Sequence, residues 1–169
     1  MVHMLVVAVS SLVLAGPALA QPMTFRAGAA TSNVTPRLGS SINGGMSDVI
    51  AAHVHDELHA RCLVLDDGQA RVAFVVVDSC MVPREVVQAA KAKIAERSGI
   101  APDHVTISAT HTHSAPASTP VFQSDANDDY VPFLVDRIAD DGQLPGAQPA
   151  ERTDDRTRQR IVRAEQVRR

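Results

Sequence analysis

Apolar positions follow three different rhythms along this chain. Residues 4–14 form a largely apolar run, closed by Ala15-Gly16-Pro17-Ala18-Leu19-Ala20. A short apolar core, a helix-breaking Gly-Pro and an A-x-A ending predict a signal peptide over residues 1–20. The mature chain then starts near Gln21, and the protein is expected to be secreted or periplasmic. The run is shorter than the about 20 apolar residues that cross a bilayer, so no transmembrane segment is expected.

Beyond this leader the period shortens to that of strands. Residues 25–30 read as a strand, residues 31–36 as a turn or loop, and the Gly- and Ser-rich residues 39–45 as irregular chain. Residues 58–65 carry apolar side chains at strand density, and Asp66-Asp67-Gly68 signals a hairpin turn. Residues 70–77 are β-branched and nearly all apolar, which predicts a central strand buried on both faces.

Helical spacing takes over after Pro83, a residue suited to a first turn. Val86, Val87, Ala90, Ile94 and Ala95 share one face of a helix reaching about Ser98, and Gly99 is its stop. Residues 105–109 return to a strand. Val131, Phe133, Leu134 and Ile138 then mark a second helix over residues 130–139. Strand, helix and strand in succession imply a right-handed crossover and a parallel pair. The fold class is therefore α/β with a mixed sheet. From residue 140 the rhythm ends: residues 140–169 contain Arg but no Lys, with few apolar positions. This segment reads as a disordered charged tail or as frameshifted sequence.

Composition narrows the function only by exclusion. The formal net charge is -3, so no global field draws the chain to nucleic acid or to an anionic membrane. Aromatic residues are 3% with no Trp, which leaves no surface for base stacking. Cys62 and Cys80 would be free to pair in an oxidising compartment, but the hairpin sets them out of opposition, so two buried thiols are expected. There is no C-x-x-C pattern.

Candidate chemistry gathers after the strands. His111 and His113 follow residues 105–109 two apart, where period-two geometry aims both imidazoles to one side. The loop after the carboxyl end of a parallel strand is where α/β proteins place ligands. The pair reads as a metal site, or as loop histidines bonded to backbone carbonyls. His55 precedes a strand and is placed to line the same cleft, while His53 and His59 read as solvated loop residues and His104 as a surface turn. Asp78 ends the apolar strand and reads as a ligand, a partner for a ligand histidine, or a cap for the helix after Pro83. Arg61 reads as a partner for Asp78, a contact for a substrate oxygen, or a plain edge-strand residue. Ser114 beside the histidines lacks the glycine elbow of a nucleophilic serine.

In order along the chain, these segments resemble the neutral/alkaline, non-lysosomal ceramidases. Residues 27–36 are similar to the family's opening G-x-x-x-x-D-I-T-P, and residues 55–65 (HDELHARCLVL) to its H-D-P-L-Y-A-R-A-L-V-L. Residues 71–78 resemble its central strand ending in Asp, and residues 108–116 (SATHTHSAP) its S-A-T-H-T-H-S-G-P, the most specific of the four. The likeness covers about residues 25–139. Asn33 and Ala115 depart from it, standing where Asp and Gly are usual.

The resemblance implies an incomplete portion of a larger ceramidase-like domain, over residues 21–139. It implies zinc-dependent hydrolysis of the N-acyl amide bond in a ceramide-like lipid substrate. His111 is carried over as a zinc ligand and His113 as the catalytic residue that binds or polarises substrate beside it. Asp78, His55 and Arg61 are candidates for supporting positions. The family's second His ligand, its Glu and Tyr ligands and its Gly-Asp-x-Ser-Pro segment do not follow in this sequence. Catalytic zinc takes about three protein ligands, so the chain alone is expected to be truncated and inactive. A half-domain would also expose an apolar sheet face. The competing reading is a small secreted binding or structural module without catalysis.

Overall fold

The computed structural model describes residues 25–140, apart from Phe122 and Asp128, together with the backbone of Gln148 and Pro149. The expected signal peptide and the rest of the tail lie outside the described residues. Strand β1 is Arg26–Asn33, followed by the two-residue strands β2 (Ser41–Ile42) and β3 (Val49–Ile50). Strands β4 (His59–Asp66) and β5 (Arg71–Val77) precede helix α1 (Arg84–Ser98), strand β6 (Val105–Ala109), helix α2 (Tyr130–Asp140) and strand β7 (Gln148–Pro149). The main sheet runs β6-β5-β4-β1-β7. Its β5–β6 pair is parallel and the others are antiparallel, giving the mixed sheet and the strand–helix–strand crossover that the periodicity predicts.

Local chemistry explains the turns and ends. Asp67 closes the β4–β5 hairpin by accepting from the backbone N–H of Ala70 at 2.8 Å and of Gln69 at 2.9 Å. Those bonds, Ala70's foremost, hold its carboxyl below the usual value. Gly99 adopts the left-handed conformation that ends α1, with its N–H on the Ala95 carbonyl.

Three expectations change. The strand pairing of β1 with β4 extends through Asn33↔His59, so Thr31 to Asn33 are strand, not loop. His59 is for the same reason the first residue of β4 and half-buried, rather than a solvated loop residue. Ser41 and Ile42, within the stretch read as irregular, pair with Ile50 and Val49.

A further correction concerns β5, which is buried on one face only. Ala73, Val75 and Val77 face the core, while Phe74 and Val76 are 44% and 40% exposed. Both helices pack on the same side of the sheet. On the open side, Phe74 stands opposite Leu63 of β4, which is 42% exposed. This is the apolar sheet face expected of a partial domain.

The core lies between the sheet and the helix pair. Val86, Ala90 and Ile94 of α1 meet Leu134, Val135 and Ile138 of α2 over Cys62, Val64, Val75 and Val105. Two bonds fix α2 to the end of β1: Tyr130 Oη donates to the Val34 carbonyl at 2.9 Å, and Arg137 Nε to the Asn33 carbonyl at 3.0 Å. Burial pushes the Tyr130 phenol above its ordinary range, so it remains a donor. Across the helix pair, Asp136 accepts from Lys93 at 2.6 Å and from Arg97 at 3.0 Å. Chiefly through Lys93, these cations hold the Asp136 carboxyl below its usual value. Cys62 and Cys80 are both buried and not joined to each other, as the register requires.

Leu134 is fully buried between sheet and helices, so Leu134→Ala is expected to cost about 2–5 kcal/mol of unfolding free energy in urea titration. Asp136 has its pKa lowered on folding, so its contribution is present above the unfolded value of about 3.9 and is lost as pH falls through the folded value. Asp136→Asn should therefore flatten the decline of stability between about pH 5 and pH 2, followed by circular dichroism.

Candidate metal centre

Parallel pairing brings the carboxyl ends of β5 and β6 together, and the backbone continues the pairing past both strands. Thr110 N–H donates to the Val77 carbonyl at 2.9 Å, and His111 N–H to the Ser79 carbonyl at 3.0 Å. The segment after β5 thus lies against the segment after β6. Cys80 and His111 meet there.

His111 has a φ of 64°, the only positive value at a non-glycine position among the described residues. The extended geometry expected of His111 and His113 is therefore broken at His111, yet their rings still converge. Nε2 of His113 lies 3.3 Å from Nε2 of His111, with the rings nearly perpendicular at 78°. Nδ1 of His111 lies 2.8 Å from the Cys80 carbonyl. A carbonyl only accepts, so Nδ1 carries the proton and Nε2 presents its lone pair toward His113. Sγ of Cys80 is 3.8 Å from the same ring. One ligand-capable atom from each of Cys80, His111 and His113 lies within 4.8 Å of the other two.

His113 is seated by a glycine far away in sequence. Asn43 N–H donates to the Ala115 carbonyl at 2.9 Å, and Ala117 N–H to the Ser41 carbonyl at 3.1 Å. These bonds lay the chain after β2 along residues 115–117 and bring Gly44 against the imidazole. A Cβ at Gly44 would stand 2.5 Å from Cγ of His113, and its φ of 111° disfavours any side chain.

The other candidates lie nearby in different roles. Asp78 accepts from the His59 N–H at 3.0 Å and from Arg61 at 2.8 Å, so the anticipated Asp78–Arg61 pair forms. It does not cap α1, whose cap position is Pro83 with no side-chain bond. Asp78 faces β4 across the sheet end, and the helix starts too far on. His55 bonds the neighbouring Asp56 at 2.8 Å, with both side chains almost fully exposed. Asp78, Arg61, His55 and His113 all line one open cleft of about 960 Å³. Its other wall is apolar, formed by Leu38, Val49, Ile50 and Val54, each about half exposed.

Two participants escaped the sequence reading. Cys80 was legible only as a buried thiol, because its approach to His111 depends on the parallel register. Gly44 sits in a glycine-rich stretch that gives no sign of its contact.

The N-terminal pattern of the neutral/alkaline non-lysosomal ceramidases matches residues 25–123, more than half of the chain. The chain belongs to that family. Its structure is similar to the neutral ceramidase from Pseudomonas aeruginosa, with a TM-score of 0.64 at 21% identity over 72% of this chain and 21% of that one. A ceramidase complexed with C2 gives a TM-score of 0.60 at 20% identity, over 70% of this chain and 20% of that one. The ceramidase-family chain described here thus spans about one fifth of the length of these relatives. At such identities the likeness speaks for the fold. Among the described residues no helix is long and apolar enough to cross a membrane.

Gly44→Ala is expected to displace the His113 ring and to cost roughly 1–3 kcal/mol of backbone strain. Histidine side-chain NMR would check it. The His113 resonances should move while those of His104, at the opposite end of β6 against Arg71, stay in place.

Proposed function

We propose that this chain forms the metal-bearing N-terminal part of a zinc amidohydrolase that cleaves the N-acyl amide bond of a ceramide-like lipid. The observation that carries this reading is the convergence of His111 on His113, which itself lines a cleft that also carries exposed apolar side chains. The two Nε2 atoms are 3.3 Å apart, so a group held at His111 lies within reach of His113. His111, with its Nε2 lone pair free of the Cys80 carbonyl, suits zinc in donor type.

In this reading His111 is a zinc ligand, oriented by the Cys80 carbonyl on its other nitrogen. Zinc supplies a Lewis acid and an acidified water for attack on an amide carbonyl. His113 faces the same point from the Gly44 seat and binds or polarises the amide. The apolar wall receives hydrocarbon, and removing it from water favours binding by roughly 25 cal/mol per Å². Arg61, neutralised by Asp78, and His55 at the rim offer hydrogen bonds to the polar head of the lipid. The remaining ligands and the closure of the cleft belong to the longer domain, so the chain alone is inactive in this reading. The N-terminal apolar run supports export to the periplasm or beyond.

The test uses a fluorescent short-chain N-acyl sphingosine. The 169-residue chain with zinc is expected to give no turnover. A chimaera with residues 25–123 in place of the matching segment of the Pseudomonas ceramidase should hydrolyse it. His111→Ala should abolish that activity, and His113→Ala should lower it about 10²-fold. A folded chimaera with both histidines intact and no hydrolysis would refute the proposal.

A further inference from the structure

We infer that Asp78 is a substrate-recognition residue, whose second carboxylate oxygen accepts a hydrogen bond from a hydroxyl of the lipid's polar head. The inference deepens the proposed function and rests on it for the kind of ligand that enters the cleft.

The carboxylate is fixed on one side and open on the other. Its Oδ2 takes both bonds that the side chain receives, from the His59 N–H at 3.0 Å and from Arg61 Nη1 at 2.8 Å. The backbone N–H of Asp78 returns a bond to the His59 carbonyl at 2.8 Å. Three bonds thus hold the group in one orientation, and among the described residues Oδ1 accepts none. An acceptor held in this way has already given up its rotational freedom, so a ligand that bonds to it does not meet that cost.

Backbone pairing sets Asp78 beside the histidine loop. Its two chain neighbours both hold that loop, the Val77 carbonyl through Thr110 N–H and the Ser79 carbonyl through His111 N–H. Asp78, Arg61 and His113 line the same cleft, and the Asp78 side chain is 17% exposed there.

Chemistry then selects the group that fits. Beside its guanidinium partner the carboxylate only accepts, while Arg61 only donates and has further N–H groups beyond the one on Asp78. A hydroxyl both accepts and donates, so it can bond Arg61 and Oδ1 together. An ether has no proton to give and leaves Oδ1 without a partner, and a phosphate ester sets negative charge against the carboxylate. The amide N–H is a poorer match. Its nitrogen must gain a proton to leave in hydrolysis, and an accepting carboxylate supplies none.

The test is an NMR titration of the full-length chain with N-hexanoyl ethanolamine, which carries one hydroxyl and one amide. Its O-methyl ether and its N-methyl amide are titrated alongside. The alcohol should bind about tenfold more tightly than the ether, the ratio for one hydrogen bond to a charged group, and should shift the Asp78 and Arg61 resonances. In Asp78→Asn the amide oxygen must stay with its two donors, His59 N–H and Arg61, so the amide nitrogen takes the place of Oδ1. That variant turns the acceptor into a donor at constant shape, and the preference for the alcohol should vanish. If the variant fails to fold, the comparison of alcohol with ether on the unaltered chain decides alone. Equal affinity for the two would overturn the proposal, as would a preference that survives Asp78→Asn or no binding of the alcohol. Binding lost on N-methylation but kept on O-methylation would assign Oδ1 to the amide N–H and overturn it too. A hydroxyl preference in this chain alongside an inactive chimaera would instead refute the amidohydrolase reading and leave this one standing.

Discussion

The parallel pairing of β5 with β6 is the constraint on which the rest of this structure depends. A parallel pair cannot be closed by a tight turn, so the chain must leave the sheet and cross back through α1. That crossing works only if α1 buries Val86, Ala90 and Ile94 against the sheet, which fixes the helix and creates the seat for α2. The pairing also does not stop where the strands do. Backbone bonds from Thr110 and His111 to Val77 and Ser79 extend it by one turn of loop on each side. Without them Cys80 and His111 would be loop residues with no fixed relation.

The centre is consequently placed by backbone and only tuned by side chains. His111 takes a left-handed φ that costs about 1–3 kcal/mol at a non-glycine residue, held by bonds from its own N–H and its own ring to consecutive carbonyls of residues 79 and 80. His113 is placed from the other side by Gly44, whose missing Cβ is the space the imidazole fills. The cleft between these supports has a charged wall in Arg61 and Asp78 and an apolar wall in the β2–β3 ribbon.

Among the described residues, the same sheet has a second face with no helix on it. Leu63, Phe74 and Val76 stand there among Thr106, Ser108 and Thr31, all on the side away from α1 and α2. A continuous apolar strand such as β5 is the pattern of a sheet covered twice, and among the described residues it is covered once. The matched part of this chain covers only 21% of the Pseudomonas ceramidase, which gives a physical setting for that excess of apolar surface.

Much of the fold was legible in the sequence because it is written in local period. Alternation and β-branching marked β4, β5 and β6, Asp67 and Gly68 marked the hairpin, and Gly99 marked the end of α1. The resemblance of residues 108–116 led directly to His111 and His113. What stayed hidden involves partners distant along the chain. The extension of β1 to Asn33 depends on pairing with His59, and the role of Asp78 on facing Arg61 rather than the helix. The approach of Cys80 to His111, 31 residues apart, and of Gly44 to His113 likewise depends on register and loop path. Local chemistry therefore determined the elements and named the histidines. Only tertiary structure decided what meets them, because a period describes one segment and a binding site is made where several segments converge.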